Sequence, residues 1–217
     1  MATDPQFSAL LTACEELSAM FHDGIAFIGG IAVYLHAINH PATRGYAEAT
    51  HDGDFYISMA DMSELRDLEE LTPNRRLSKH QLIKAGFEFD IYTERHSSLV
   101  VPYSAVIAHA ESYGNLKVAG LEHLFALKAE AYRDRKSGSK GSKDAKDLIR
   151  IAAITAARKQ RLTTSLIAPY LTDEHLRLLD ELIKRPEFVA LTRGNAMEAK
   201  KLRTQFAAVV TALKQAF

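Results

Sequence analysis

The chain has 217 residues, 47% apolar and 25% charged, enough for one large domain or two small ones with a proper core and ordinary for a globular protein. No apolar run approaches the roughly 20 residues that cross a bilayer, and the start MATDPQFSAL lacks the basic-then-apolar pattern of a signal peptide. A single cysteine, Cys14, excludes an internal disulfide and a cysteine-rich zinc site, so the expectation is a cytoplasmic protein without a membrane partner.

Formal net charge is zero but unevenly spread: residues 1–60 hold seven acids against one base, Arg44, and residues 158–217 hold eleven bases against six acids. Such polarity fits a cation-binding end and a polyanion-facing end, and equally two solvated surfaces of different sign.

Along the chain, Phe7, Leu10, Leu11, Cys14, Leu17 and Phe21 recur at helical spacing and predict a helix over 5–22. Ile25 to Ile28 reads as a short buried strand that runs into Gly29-Gly30 and then an apolar helix. Residues 39–49 read as a loop, 54–58 as a strand and 61–70 as an acidic helix. QLIKAGFEFDIYTE predicts paired strands, with Phe87, Phe89 and Ile91 on one face and Glu88, Asp90 and Tyr92 on the other. From about 102 the chain is expected to be mostly helical, with a short strand at 116–118 and a helix carrying Leu121, Leu124, Phe125 and Leu127. KSGSKGSK, residues 136–143, reads as a flexible basic loop. Further helices are predicted over 143–157, 173–185 and 195–216.

Three features carry chemistry. Gly29 and Gly30, between a strand and a helix, expose backbone N–H groups at a helix N-terminus, which suits a phosphate. Asp52 and Asp54 in THDGDFYIS alternate onto one face of a strand, and two carboxylates together suit a small hard cation such as Mg²⁺. Asp90 sits on the polar face of a later strand, so three carboxylates converge if those strands are neighbours. Each feature alone has an ordinary alternative: glycine pairs serve close packing, and paired exposed aspartates are often simply solvated.

Taken in order, strand, Gly-Gly, helix, Asp-x-Asp strand and third-Asp strand resemble the nucleotidyltransferase superfamily, with the DNA polymerase β-like fold. The resemblance implies an α+β protein: an N-terminal mixed-sheet catalytic core over 1–115, then a C-terminal helical bundle over 116–217 that contributes nucleotide contacts. It implies that Gly29 and Gly30 hold the triphosphate, that Asp52 and Asp54 hold Mg²⁺ or Mn²⁺, and that Asp90 helps activate the attacking hydroxyl. LEHLFALKAEAYRDRK and KDAKDLIRI are further similar to the AbiEii-like, toxin-type nucleotidyltransferases. By that likeness Lys128 contacts nucleotide phosphates, Arg133 supports it, and Lys143, Asp144 and Asp147 belong to the downstream KDxxDL segment. Thr50 matches the Thr/Ser that opens the family's Thr/Ser-x-Asp-x-Asp segment. The likeness implies transfer of an NMP from an NTP to tRNA or a protein, with a cognate antitoxin as partner. A small-molecule, antibiotic-type enzyme or a silent NTP- or RNA-binding module shares the same motifs.

The sequence departs from the pattern in one place. The loop between Gly30 and Asp52 is longer than in most of the superfamily, and the family's arginine just before the Thr-x-Asp-x-Asp segment is absent. The only nearby arginine, Arg44, lies six residues before Thr50.

Other residues read more plainly. Lys128 is in phase with Leu121, Leu124 and Phe125, so it needs an anionic partner or a route to solvent. The nine histidines form no His-Glu-x-x-His pattern and read as surface or helix-end residues. GSKGSK lacks the order of a phosphate loop, and no Gly-x-Ser-x-Gly marks a hydrolase. Tyr92 reads as structural or as a stacking surface for a base, and Lys200, Lys201 and Arg203 as a solvated face or RNA contacts.

Overall fold

The computed structural model describes residues 5–21, 24–95 and 97–217. Its α+β chain divides into two compact units, Met1–Tyr34 with Glu48–Gly120, and Leu35–Ala47 with Leu121–Phe217.

The first unit is built on a mixed seven-stranded sheet of β1 (Ile25–Ile28), β2 (Asp52–Ile57), β3 (Leu71–Asn74), β4 (Lys79–Lys84), β5 (Phe87–Thr93), β6 (Glu111–Tyr113) and β7 (Leu116–Val118). Their spatial order is β3-β4-β5-β2-β1-β7-β6. The β2–β5 and β1–β7 pairs are parallel and the rest antiparallel. All four residues of β1 are buried, as its unbroken apolar run requires of a central strand. β5 alternates as predicted, with Phe89 and Ile91 buried and Glu88 and Asp90 turned the other way.

One face of the sheet is therefore core. Phe27, Phe55 and Phe89 line up across β1, β2 and β5, with successive ring centroids 5.7 and 6.2 Å apart. A side chain at Gly53 would place its Cβ 2.4 Å from the Phe89 ring, so the bare backbone of β2 is what admits that aromatic. Helices α1 (Pro5–Met20), α3 (Met59–Leu68) and α4 (Tyr103–Ala108) belong to this unit, and α2 (Gly29–Ile38) begins in it. Ser58 caps α3, accepting from the Asp61 N–H at 3.0 Å.

The second unit is helical, with α5 (Leu121–Arg135), α6 (Ser139–Ala157), α7 (Asp173–Leu182), α8 (Glu187–Leu191) and α9 (Ala196–Lys214). Leu124, Phe125, Leu148, Ile151 and Phe206 are fully buried in its core. Residues 35–47 are fastened here: the buried Arg150 donates from Nε to the Tyr46 carbonyl at 2.7 Å, the Tyr46 hydroxyl bonds Glu198, and Arg158 meets His36 at 2.9 Å. Thr172 and His175 form a capping box on α7, and the His175 Nε2 lies 2.8 Å from Glu130 Oε2.

Several local expectations change. KSGSKGSK is not all loop, because α6 starts at Ser139. Gly141 permits the tight α5–α6 corner, since a Cβ there would lie 2.3 Å from the Arg135 carbonyl oxygen. The strand expected at 116–118 is β7, but residues 102–115 hold only the short α4 and the added strand β6, which pairs with β7 in a hairpin. β3 has no counterpart in the sequence reading. His36, His123 and His175 lie in end turns of their helices, within the reading of surface or helix-end residues, but are buried rather than exposed. Among the described residues, no helix is long and apolar enough to cross a membrane.

Candidate functional site

The geometry starts from the β2–β5 register. Asp54 is the Cα partner of Asp90, and Asp52 that of Glu88. Partners in a parallel pair lie about 4.8 Å apart and direct their side chains to the same face. The three predicted carboxylates thus share the sheet face opposite the aromatic core, and Glu88 joins them. Asp52 is exposed, while Asp54 and Asp90 are half-buried.

The glycine turn adjoins this block because Ile28, the last residue of β1, pairs with Asp54. Gly29 follows with φ +64°, and a Cβ there would lie 2.2 Å from Asp54 Oδ2. Only glycine fits both the left-handed backbone and the space. Gly30 packs over the buried Thr50: its missing Cβ would lie 3.0 Å from the Thr50 hydroxyl oxygen. That hydroxyl in turn donates to Asp52 Oδ1 at 2.5 Å and fixes the first carboxylate. Gly29, Gly30, Thr50, Asp52, Asp54 and Asp90 are thus brought together in the first unit.

Sequence reasoning missed the residues that answer Asp90. Lys79, at the start of β4, ion-pairs with Asp90 Oδ2. Gln81 is the Cα partner of Asp90, bonds Glu88, and approaches Asp90 Oδ1 at 3.4 Å. The paired strands expected from Gln81 onward begin two residues earlier, at Lys79, and the period-two spacing of KHQLIK puts Lys79 and Gln81 on one face of β4. Tyr92 stacks at a tilt on Tyr56, with centroids 6.0 Å apart.

The remaining predicted residues lie in the second unit. Lys128, on α5, is buried between two buried carboxylates of α6, 3.3 Å from Asp144 and 2.6 Å from Asp147. Its anionic partners are therefore supplied by the chain. Arg150 pairs with Asp147 at 2.7 Å, and the arginine that reaches Asp144, at 2.8 Å, is Arg135. Arg133 turns instead to Glu130 and to Asp134. Arg44, in the 39–49 loop, donates from Nε to the carbonyl of Ile38 at the end of α2 at 3.3 Å. Lys200 and Lys201 are exposed, and Arg203 lies over the Phe188 ring at 5.3 Å.

The donor set fits a magnesium or manganese ion. Asp52 and Asp54 are hard oxygen ligands on one strand face, and Mg²⁺ commonly takes only one or two carboxylates, completing its shell with water and substrate phosphates. Among the described residues, no three His, Cys, Asp or Glu side chains stand close enough to enclose an ion by themselves. That agrees with Asp90 being held by Lys79.

No protein-family model matches the chain, and no curated protein matches it. Solved structures do. An antigenic nucleotidyltransferase-like protein from Paracoccidioides brasiliensis aligns with TM-score 0.54 at 14% identity, over 86% of this chain and 93% of its own. JHP933 from Helicobacter pylori aligns with TM-score 0.53 at 12% identity, over 99% and 96%. A candidate nucleotidyltransferase from H. pylori gives 0.51 at 11% identity, over 98% and 96%. At such identities the likeness is one of fold: the chain has a nucleotidyltransferase-like fold.

Proposed function

We propose that the chain is a magnesium-dependent nucleotidyltransferase that moves a nucleoside monophosphate from a nucleoside triphosphate to an acceptor hydroxyl. The observation that carries this reading is the β2–β5 register, which sets Asp54 beside Asp90 with Asp52 on the same face, next to the Gly29 turn. The backbone N–H groups at the start of α2 receive the triphosphate. Asp52, oriented by Thr50, and Asp54, seated against Gly29, hold the metal. When bound, the ion neutralises charge on the transferring phosphoryl group and on the leaving pyrophosphate. Asp90 accepts the proton of the acceptor hydroxyl as its oxygen bonds the α-phosphorus and pyrophosphate departs.

For Lys128, Arg133, Asp144 and Asp147 a nucleotide role rests on the family resemblance. The same is true of a toxin-type, AbiEii-like identity, a tRNA or protein acceptor and a cognate antitoxin. The basic final segment favours a polyanionic acceptor over a small antibiotic-type one.

The test is label transfer from each α-labelled NTP with Mg²⁺, with and without total tRNA, beside Asp52→Asn and Asp54→Asn variants. Label is expected on RNA or protein, falling about a thousandfold in either variant, in line with loss of one strong electrostatic contact. A second reading, a silent nucleotide-binding module, is favoured by Lys79 already neutralising Asp90. It predicts NTP binding with no label moved to any acceptor.

A further inference from the structure

The acids of the sheet face lie on two strands with different neighbours. Asp52 and Asp54, on β2, adjoin Thr50 and the glycine turn. Asp90 and Glu88, on β5, are answered by β4, which sends Lys79 to Asp90 and Gln81 to Glu88. The Lys79 side chain is 11% exposed and that of Asp90 22%, so the pair is largely shielded from competing solvent and salt. Lys79 therefore answers Asp90 with a positive charge from within the chain.

We propose that Lys79 is a positioning residue, an internal counter-cation that holds Asp90 toward β4 and competes with the metal for it. In this reading, which rests on the function proposed above, Asp52 and Asp54 form the resident metal position. Asp90 comes under the metal's influence only by giving up Lys79. Two cations of like charge cannot share one carboxylate cheaply, so removing Lys79 must strengthen metal binding, and restoring a fixed charge must weaken it again.

The experiment measures Mn²⁺ binding to the full chain by electron paramagnetic resonance, without nucleotide. The proteins are wild type, Lys79→Met, Lys79→Gln, Lys79→Arg and the Lys79→Met/Asp90→Asn double variant, each checked for fold by circular dichroism. Losing a charge-assisted contact is expected to tighten Mn²⁺ binding by roughly tenfold to a hundredfold in Lys79→Met and in Lys79→Gln. Lys79→Arg should stay near wild type, and the double variant should lose the gain. A gain that is absent, or that survives in the double variant, overturns the proposal. Label transfer by the same wild-type preparation separates the two ideas. Transfer with unchanged Mn²⁺ affinities removes only the role of Lys79. Tightened binding without transfer keeps that role and removes the transferase reading.

Discussion

At Gly29 the backbone and the chemistry make one demand. A left-handed φ costs an L-residue about 1–2 kcal/mol, and here the added methyl would also collide with the Asp54 carboxylate, 2.2 Å away. Gly29→Ala is therefore expected to lower unfolding free energy by at least that amount in urea titrations, and to weaken nucleotide binding with it. Lys128 makes the opposite case, a charge where an apolar face was expected. Lys128→Met would leave Asp144 and Asp147 to Arg135 and Arg150, and breaking a buried ion network costs about 3–5 kcal/mol. A much smaller shift of the urea midpoint would argue against the burial of this network. Cys14 is simpler. Burial, with a smaller contribution from Glu15, pushes its thiol from 9.0 up to about 12. Its contribution to stability is intact below pH 9 and is lost as pH climbs toward 12, because the unfolded chain releases that proton first. A thiol reagent at a pH of about 8 should fail to label the native protein and label it fully in urea. The placement of Asp52 and Asp54 on one strand face, of Asp90 on a polar strand face and of both glycines between strand and helix was legible because alternation and spacing are local properties. Lys79 was not, because its meaning lies in a partner on another strand, Asp90.

At the scale of elements, the legible strands include β1, which runs wholly apolar, and β5, which alternates cleanly. β3 offers only LTPN, with a proline and two exposed residues, and carries no period long enough to read. The start of α6 is hidden differently. Glycine and serine in KSGSKGSK argue for loop, but packing against the end of α5 fixes a helix there, and tertiary contact overrides propensity. Gly141→Ala tests this, since it raises helix propensity yet sets a methyl 2.3 Å from the Arg135 carbonyl oxygen. Destabilisation of about 1–3 kcal/mol is expected, the usual cost of overpacking; a stabilised variant would mean the corner is looser than described. Gly53→Ala should cost a similar amount through Phe89, and the loss should shrink in a Gly53→Ala/Phe89→Leu double variant, as coupled neighbours require.

Across the whole molecule, one part of the second unit comes from early in the chain. Residues 35–47 sit among N-terminal elements in sequence, yet their hydrogen bonds run to Arg150, Arg158 and Glu198 of the helical unit. No local pattern announces such an attachment. An excised 121–217 fragment would leave the buried Arg150 without its carbonyl acceptor, at about 1–3 kcal/mol for that group alone. It should melt at lower temperature and less cooperatively than this unit does in the intact chain, by circular dichroism. The same logic bears on the sheet. Asp52, Asp54 and Asp90 lie on two interior strands whose other face is the Phe27–Phe55–Phe89 core. Were β2 or β5 to slide by one residue, every side chain would change faces, sending carboxylates into the aromatic layer and phenylalanines into water. The acids that would serve catalysis therefore also proofread the assembly, so that a chain folded in the wrong register is discarded by its own charges before it can hold a substrate badly.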